Sequence, residues 1–418
     1  MLVRDPVHGD IELDREESEI LDCPEMQRLR AIKQLGTAYL VYPGCTHSRF
    51  EHSLGTMAVA KRIISALERC GRSVSADIRK VISITALLHD VTHIPFGHTF
   101  EDERKIFARH DKGSRIKYFL RRDGALGQVL NHTGLLPEVE GMLSGRVNDW
   151  RSQIVSSALD ADLLDYLRRD AYMAGLAQTY DERVFQHFRV VDNGLVLVLV
   201  KHNMDRPDVK SEIIHLLRLR YYLTERVYFH HAKVISGAMI SKALELALQH
   251  GLEEHDLLTL GDHTLFEHLK RLGDEHNPRI TDLTTAVETR RLFKRAYVLT
   301  GESLTQAERA DLIHKYHSDR TSRAALEAEI AAAAQLDPAQ IIVYCPEDRT
   351  FREAAIPVLT KDGVRKLNAP FPPPPEDIAQ LERQYQRLWR FYVFAPEEHK
   401  EKVKLVCREI FSIPSEHC

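Results

Sequence analysis

Two histidines and two aspartates stand far apart in the first half of the chain: His52, His89, Asp90 and Asp162. Two imidazoles with two carboxylates make a mixed nitrogen–oxygen shell. Such a shell suits one divalent ion, Mn²⁺, Fe²⁺, Co²⁺, Ni²⁺, Mg²⁺ or Zn²⁺, and leaves positions for water and a phosphate oxygen. The dipeptide His-Asp occurs three times, at His89-Asp90, His110-Asp111 and His255-Asp256. Only the first ends a deeply apolar helix. An ionised Asp there carries a large desolvation cost unless something compensates for it. A bound cation does so; an arginine partner, or a turn capped by the carboxylate, is the alternative.

The surrounding residues enlarge the pattern. Upstream runs His47-Ser-Arg-Phe-Glu-His52-Ser-Leu-Gly, and downstream His93-Ile-Pro-Phe-Gly-His98-Thr-Phe-Glu101. Further on, Asp162, Tyr166 and Asp170 fall four apart, on one side of a helix. Asp165 reads as a solvated or helix-pairing acid. His98 either satisfies hydrogen bonds near the site or acts directly. His230-His231, His314 and His317 lack partner carboxylates at suitable spacing and are set aside.

The elements that must position these groups are mostly helices. Residues 55–70 carry apolar positions three and four apart, as one buried helix face requires. Residues 78–90 are apolar on nearly every face and predict a central helix, broken soon after by Pro95 and Gly97. Further helices are expected at 152–175, 209–249, 263–273, 282–299, 322–335 and 396–411. Phe188 to Val191 and Leu195 to Lys201 flank Asn193-Gly194, a hairpin signal. Strands are expected at Ile341 to Tyr344 and Trp389 to Phe394. Between them Ala369 to Pro375 reads as a stiff extended linker. The expectation is a mainly α protein, a helical bundle with a small β-hairpin over 1–330 and a minor α/β lobe over 331–418.

Composition narrows the function. At 418 residues, 44% hydrophobic, 28% charged and net charge -4, the chain has no basic coat for wrapping nucleic acid non-specifically, though a local phosphate-binding pocket is compatible. Six cysteines without a CxxC pair argue against a thiolate zinc cluster and for a reducing cytosol. The N-terminus has no apolar signal core, and the longest aliphatic run, Leu195 to Val200, is too short to cross a bilayer.

Longer strings then match a known pattern: Asp5-Pro-Val-His-Gly-Asp-Ile-Glu-Leu, Asp22-Cys-Pro-Glu-Met-Gln27-Arg-Leu-Arg30-Ala-Ile-Lys-Gln34-Leu35-Gly, Tyr42-Pro-Gly and Arg49-Phe-Glu-His52-Ser-Leu-Gly. With the His89-Asp90 helix, the Asp162 helix and a later Arg-rich helix, residues 1–245 resemble the HD-domain superfamily, in its deoxynucleoside triphosphate triphosphohydrolase branch. The resemblance implies that His52, His89, Asp90 and Asp162 hold the metal. It places His93 and His110 near the reacting phosphate, His110 as general acid, with Glu101 orienting a histidine. It implies that Arg49 and Arg220 contact phosphates, and that Gln34, Leu35, Tyr166, Asp170 and Tyr228 line the sugar and base pocket. A second Mg²⁺ on the substrate phosphates, and assembly into a dimer or tetramer through the helices after residue 209, are further implications. Asp22, Gln27 and Arg30 match a guanine-nucleotide regulatory pocket, or form a structural network.

One position departs from the branch. Directly after Asp162 the triphosphohydrolases carry a phosphate-contacting lysine; here it is Leu163, with Lys233 or Arg226 as candidate replacements. A lost charge-assisted contact of roughly 1.5–3 kcal/mol weakens triphosphate binding by one to two orders of magnitude. The leading expectation is hydrolysis of dNTPs. The rivals are hydrolysis of another phosphoester, a nucleoside monophosphate or nucleic-acid phosphodiester, and a nucleotide sensor without turnover.

Overall fold

The computed structural model describes residues 1–111, 114–348, 352–369 and 375–416. Residues 370–374, the body of the expected linker, lie outside the described residues. The chain is mainly α-helical, as its periodicity predicts.

A short antiparallel hairpin opens the chain, β1 (Leu2–Asp5) with β2 (Gly9–Glu12). Helix α1 (Arg49–Arg69) starts where the Ser48 backbone N–H and hydroxyl both donate to Glu51, a capping box. Helix α2 (Ala76–Leu88) is capped by Ser75 and buries every residue from Val81 to Leu88. Each large aliphatic side chain buried there contributes about 1.5–3 kcal/mol, so the end of α2 is anchored before the polar His89-Asp90 turn begins. Helix α3 (Ala161–Met173) packs on α1 and is capped by Asp160, whose side chain accepts from the Leu163 N–H.

The expected hairpin forms as β3 (Phe188–Val191) and β4 (Gly194–Val198). Asp192 and Asn193 have φ of 46° and 64°, the pair of positive values a type I′ turn requires. It ends earlier than expected, since Val200–Lys201 turns into a separate ribbon with Met204–Asp205.

Three expected helices differ. The span 152–175 is two helices, Trp150–Val155 and α3, because Asp160 restarts the helix. The span 209–249 is α4 (Pro207–Leu223), a π-helical turn Thr224–Tyr228, and α5 (His231–Leu248). The span 282–299 ends its helix at Glu288 and continues as strand β5 (Lys294–Thr300). Its Tyr-Val-Leu run is buried on both faces, so it has no alternation to distinguish strand from helix.

Beyond it come α6 (Arg320–Ala333), β6 (Ile342–Tyr344), β7 (Pro357–Thr360), β8 (Gly363–Lys366), β9 (Arg390–Ala395) and α7 (Lys400–Phe411). Strand β9 lies between β5 and β6, antiparallel to both, under α6 and α7. This sheet has its own core, containing Tyr297, Ile330, Val343, Phe391 and Val403. The second core thus begins on β5, upstream of residue 331. The β7–β8 hairpin instead pairs β7 with β4, in parallel, tying the C-terminal residues to the main body.

A buried ionic cluster makes a second tie. Arg104 is 1% exposed; it donates to Glu327 on α6, to the Val343 carbonyl on β6 and to Glu245 on α5. Arg323 and Lys242 complete the charge balance on Glu245 and Glu327. Among the described residues no helix is long and apolar enough to cross a membrane.

Candidate metal centre

Helix α1 carries Arg49 and His52 one turn apart, α2 runs into His89 and Asp90, and the first turn of α3 presents Asp162. His52 Nε2 lies 2.9 Å from Asp162 Oδ1 and 3.1 Å from His89 Nε2; His89 Nε2 lies 3.7 Å from Asp162 Oδ1. The other nitrogen of each ring is engaged. His52 Nδ1 meets Asp165 Oδ2 at 2.7 Å, and His89 Nδ1 meets the Ala86 carbonyl at 2.8 Å. A carboxylate and a carbonyl can only accept, so both Nδ1 atoms donate. In neutral rings both Nε2 atoms then carry lone pairs that face each other, an arrangement that repels unless a cation is shared between them. The donor set fits a divalent ion: ligand atoms of His52, His89 and Asp162 all lie within 4.8 Å of one another.

Asp90 stands beside this group. Its Oδ1 is 3.5 Å from His89 Nε2, while its Oδ2 accepts from Arg49 Nη1 at 2.6 Å. Burial disfavours its charge, but Arg49 and His89 hold its pKa well below the usual range. Burial likewise disfavours a charged His52, yet hydrogen bonds to Asp162 and Asp165 carry it up to about 10. Asp162 is held low by the two histidines against its burial, while burial and the Asp162 charge push the capping Asp160 up to about 7.

Next to the group lies a trio of imidazoles. His93 stacks on His110 with ring centroids 3.6 Å apart, and His98 meets His93 edge-on at 4.8 Å. Burial and then Arg49 hold His93 well below its ordinary pKa, so it is neutral. His110 Nδ1 donates to Glu101 Oε2 at 3.1 Å, and Glu101 also pairs with the buried Arg115. Gly97 permits this packing. A Cβ there would lie 2.6 Å from His93 Nδ1 and 3.1 Å from Arg49 Nη2.

The expected sugar-pocket residues divide. Asp170 is buried, with Tyr228 donating to its Oδ2 at 2.6 Å and His47 Nε2 donating to its Oδ1 at 2.8 Å. Gln34 stands across from His47, its N–H donating to the His47 carbonyl, and its Oε1 is buried without a hydrogen-bond partner. Leu35 is buried beside it. The Arg220 guanidinium lies over the Tyr166 ring at 5.5 Å. Neither candidate replacement for the missing lysine is free: Lys233 pairs with Glu103 at 2.9 Å, and Arg226 stacks on Tyr222. Leu163 itself is buried. Arg30 donates to Gln27, which donates to the Leu21 carbonyl.

The solvated reading of Asp165 is overturned. Its side chain is 0% exposed and takes His52, His8 and Arg169, the last at helical i,i+4 spacing. His8, His47, Arg115 and Arg169 all touch the expected site residues or their partners, and residue spacing did not single them out. Asp165 four residues before an arginine, on the helix that carries Asp162, was the available signal.

With this geometry in view, comparison with known proteins is informative. Residues 49–170 match the model of the HD domain, and residues 181–417 that of the HD associated region. An uncharacterised protein of Methanocaldococcus jannaschii is 30% identical over 410 residues, 96% of this chain and 80% of its own. The deoxynucleoside triphosphate triphosphohydrolase SAMHD1 of Bos taurus is 27% identical over 395 residues, and that of Homo sapiens 32% over 279. The matches cover 82% and 58% of this chain, but only 65% and 44% of those longer proteins. In fold, the chain resembles a phosphohydrolase from Bacteroides thetaiotaomicron, with a TM-score of 0.69 at 22% identity over 95% of this chain and 100% of that one.

Proposed function

The chain belongs to the HD-domain family of phosphohydrolases, and from that premise we propose that it hydrolyses dNTPs to deoxynucleoside and inorganic triphosphate. The observation that carries this reading is the convergence of His52, His89 and Asp162 beside Arg49 and the His93–His110 stack. It supports the reading because two imidazoles and a carboxylate that could hold a metal stand beside a buried guanidinium and a pair of stacked imidazoles.

In this reading His52, His89, Asp90 and Asp162 hold one divalent ion. Bound there, such an ion neutralises charge on a phosphoryl oxygen and acidifies a water. Arg49 and Arg220 bind phosphate oxygens through charge-assisted hydrogen bonds. Neutral His93 offers a hydrogen bond without adding positive charge. Glu101 fixes the Nδ1–H tautomer of His110, leaving Nε2 to carry a proton to the leaving group. Burial lowers the His110 pKa, so its protonated form releases that proton readily. Asp170, Tyr228 and Gln34 grip a sugar hydroxyl, Leu35 and Tyr166 pack on the sugar and base, and a second Mg²⁺ travels with the substrate phosphates. Assembly into a dimer or tetramer through α4 and α5, and a cytosolic location, belong to the same proposal; sedimentation at micromolar concentration tests the assembly.

Leu163 favours a second reading, in which the same centre cleaves a smaller phosphoester such as a nucleoside monophosphate. Incubation with each dNTP, NTP and monophosphate in Mn²⁺, Mg²⁺ or Co²⁺, with chromatographic product analysis, decides between them. Inorganic triphosphate supports the first reading, and orthophosphate from a monophosphate the second.

A further inference from the structure

The N-terminal hairpin reaches the candidate metal centre through side chains that the reading above does not use. Asp5, the last residue of β1, builds the hairpin turn: its Oδ1 accepts from the N–H groups of Val7 and His8 at 2.9 and 2.8 Å. Its Oδ2 accepts from Arg169 Nη1 at 2.8 Å. The turn delivers His8, whose side chain is 1% exposed, so that its Nε2 meets Asp165 Oδ1 at 2.6 Å. Arg169 adds two more bonds to Asp165, through Nε at 2.9 Å and Nη2 at 3.0 Å. The remaining direction from Asp165 Oδ2 is taken by His52 Nδ1 at 2.7 Å. Helix α1 closes the back of this arrangement with Gly55, where a Cβ would lie 1.9 Å from Asp165 Oδ1 and 2.3 Å from Arg169 Nη2.

We propose that His8 and Asp165 are positioning residues of the metal centre, with the N-terminal hairpin acting as its outer wall. Asp165 has no rotational freedom while His8 and Arg169 hold both oxygens. A fixed Asp165 keeps the His52 proton on Nδ1 and aims the Nε2 lone pair at Asp162 and His89. Outer partners of this kind set the tautomer and basicity of a metal-ligating histidine, and their loss costs 10–100-fold in metal affinity. Removing the His8 imidazole strips Oδ1 of its shortest bond and leaves Arg169 alone to hold Asp165 against His52; with that grip loosened, His52 samples the tautomer with its proton on Nε2, which cannot ligate.

This inference rests on the metal reading, so the test separates the two. Mn²⁺ is titrated into the metal-free full-length protein, wild type and the variants His8→Ala, His8→Gln and Asp165→Asn, each checked for folding by circular dichroism. The His52 tautomer is followed by nitrogen chemical shifts in the metal-free protein, at a pH high enough for the ring to be neutral. The Gln amide can donate from nearly the same position as the imidazole Nε2–H. We expect Mn²⁺ affinity to fall about tenfold or more in His8→Ala and Asp165→Asn, to return close to wild type in His8→Gln, and His52 to lose its single Nδ1–H tautomer in the first two. Folded His8→Ala with wild-type affinity and an unchanged His52 tautomer overturns the inference alone. A wild-type protein that takes up no Mn²⁺ overturns the metal reading and this inference with it. Should Asp165→Asn fail to fold, the His8 pair carries the test.

Discussion

Tyr228 and His47 each hold one oxygen of the buried Asp170, at 2.6 and 2.8 Å. Tyr228 ends the π-helical turn between α4 and α5 and donates its hydroxyl to Asp170 from there. If this unit grips the sugar, Tyr228→Phe lowers kcat/KM for dNTPs by about 10–100-fold, the cost of one hydrogen bond to a charged group. Metal content stays unchanged. Steady-state kinetics with elemental analysis checks both halves.

The proton-delivery role rests on Glu101 and His110. Replacing His110 with Gln is expected to lower kcat by 10²–10⁴-fold while KM changes little. Glu101→Gln is expected to give a smaller loss, because the amide still accepts from His110 Nδ1 while its pairing with Arg115 weakens. Single-turnover kinetics distinguishes a slowed chemical step from slow product release.

Leu163→Lys restores the charge that the triphosphohydrolases carry at this position. On the dNTP reading, KM for dNTPs falls by about tenfold or more, consistent with one added charge-assisted contact. KM for monophosphates stays within about twofold. An unchanged KM for every triphosphate argues for the smaller phosphoester.

The ionic cluster around Arg104 predicts an acid-sensitive tie to the C-terminal sheet. Burial opposes the Glu245 charge, but Arg104 and Arg323 lower its pKa from 4.5 to about 2. A carboxyl with a depressed folded pKa stabilises fully above its unfolded value and loses that contribution as pH falls towards the folded one. The stability gap between wild type and Glu245→Gln therefore shrinks between pH 5 and pH 2. Urea unfolding across that range measures it.

Gly55→Ala tests the packing behind the centre. With its Cβ 1.9 Å from Asp165 Oδ1, α1 and α3 must separate or the Asp165–Arg169 pair must break. Overpacking of this kind costs about 1–3 kcal/mol or more. Thermal and chemical denaturation measure the loss, and metal titration reads the displaced pair.

Legibility followed the strength of each local signal. The apolar run ending at His89, the hairpin and the four-residue spacing from Asp162 to Asp170 are readable because periodicity and turn chemistry act over a few residues, though the turn falls on Asp192-Asn193, one residue before the Asn193-Gly194 dipeptide that signals it. His8 and His47 were not distinguished, since each acquires its meaning from a partner far along the chain, Asp165 and Asp170. Of the two readings of Asp165, helix pairing holds, through Arg169 at i,i+4, and solvation does not, because packing against α1 and the N-terminal hairpin buries it. The β5 segment reads as helix in the sequence because a core strand covered on both faces shows no alternation.

The direct measurement of where a cation binds is anomalous diffraction from crystals of the full-length protein loaded with Mn²⁺. The account predicts a peak within coordination distance of His52 Nε2, His89 Nε2 and a carboxylate oxygen of Asp162. Loaded crystals with no anomalous signal among those three side chains would contradict it.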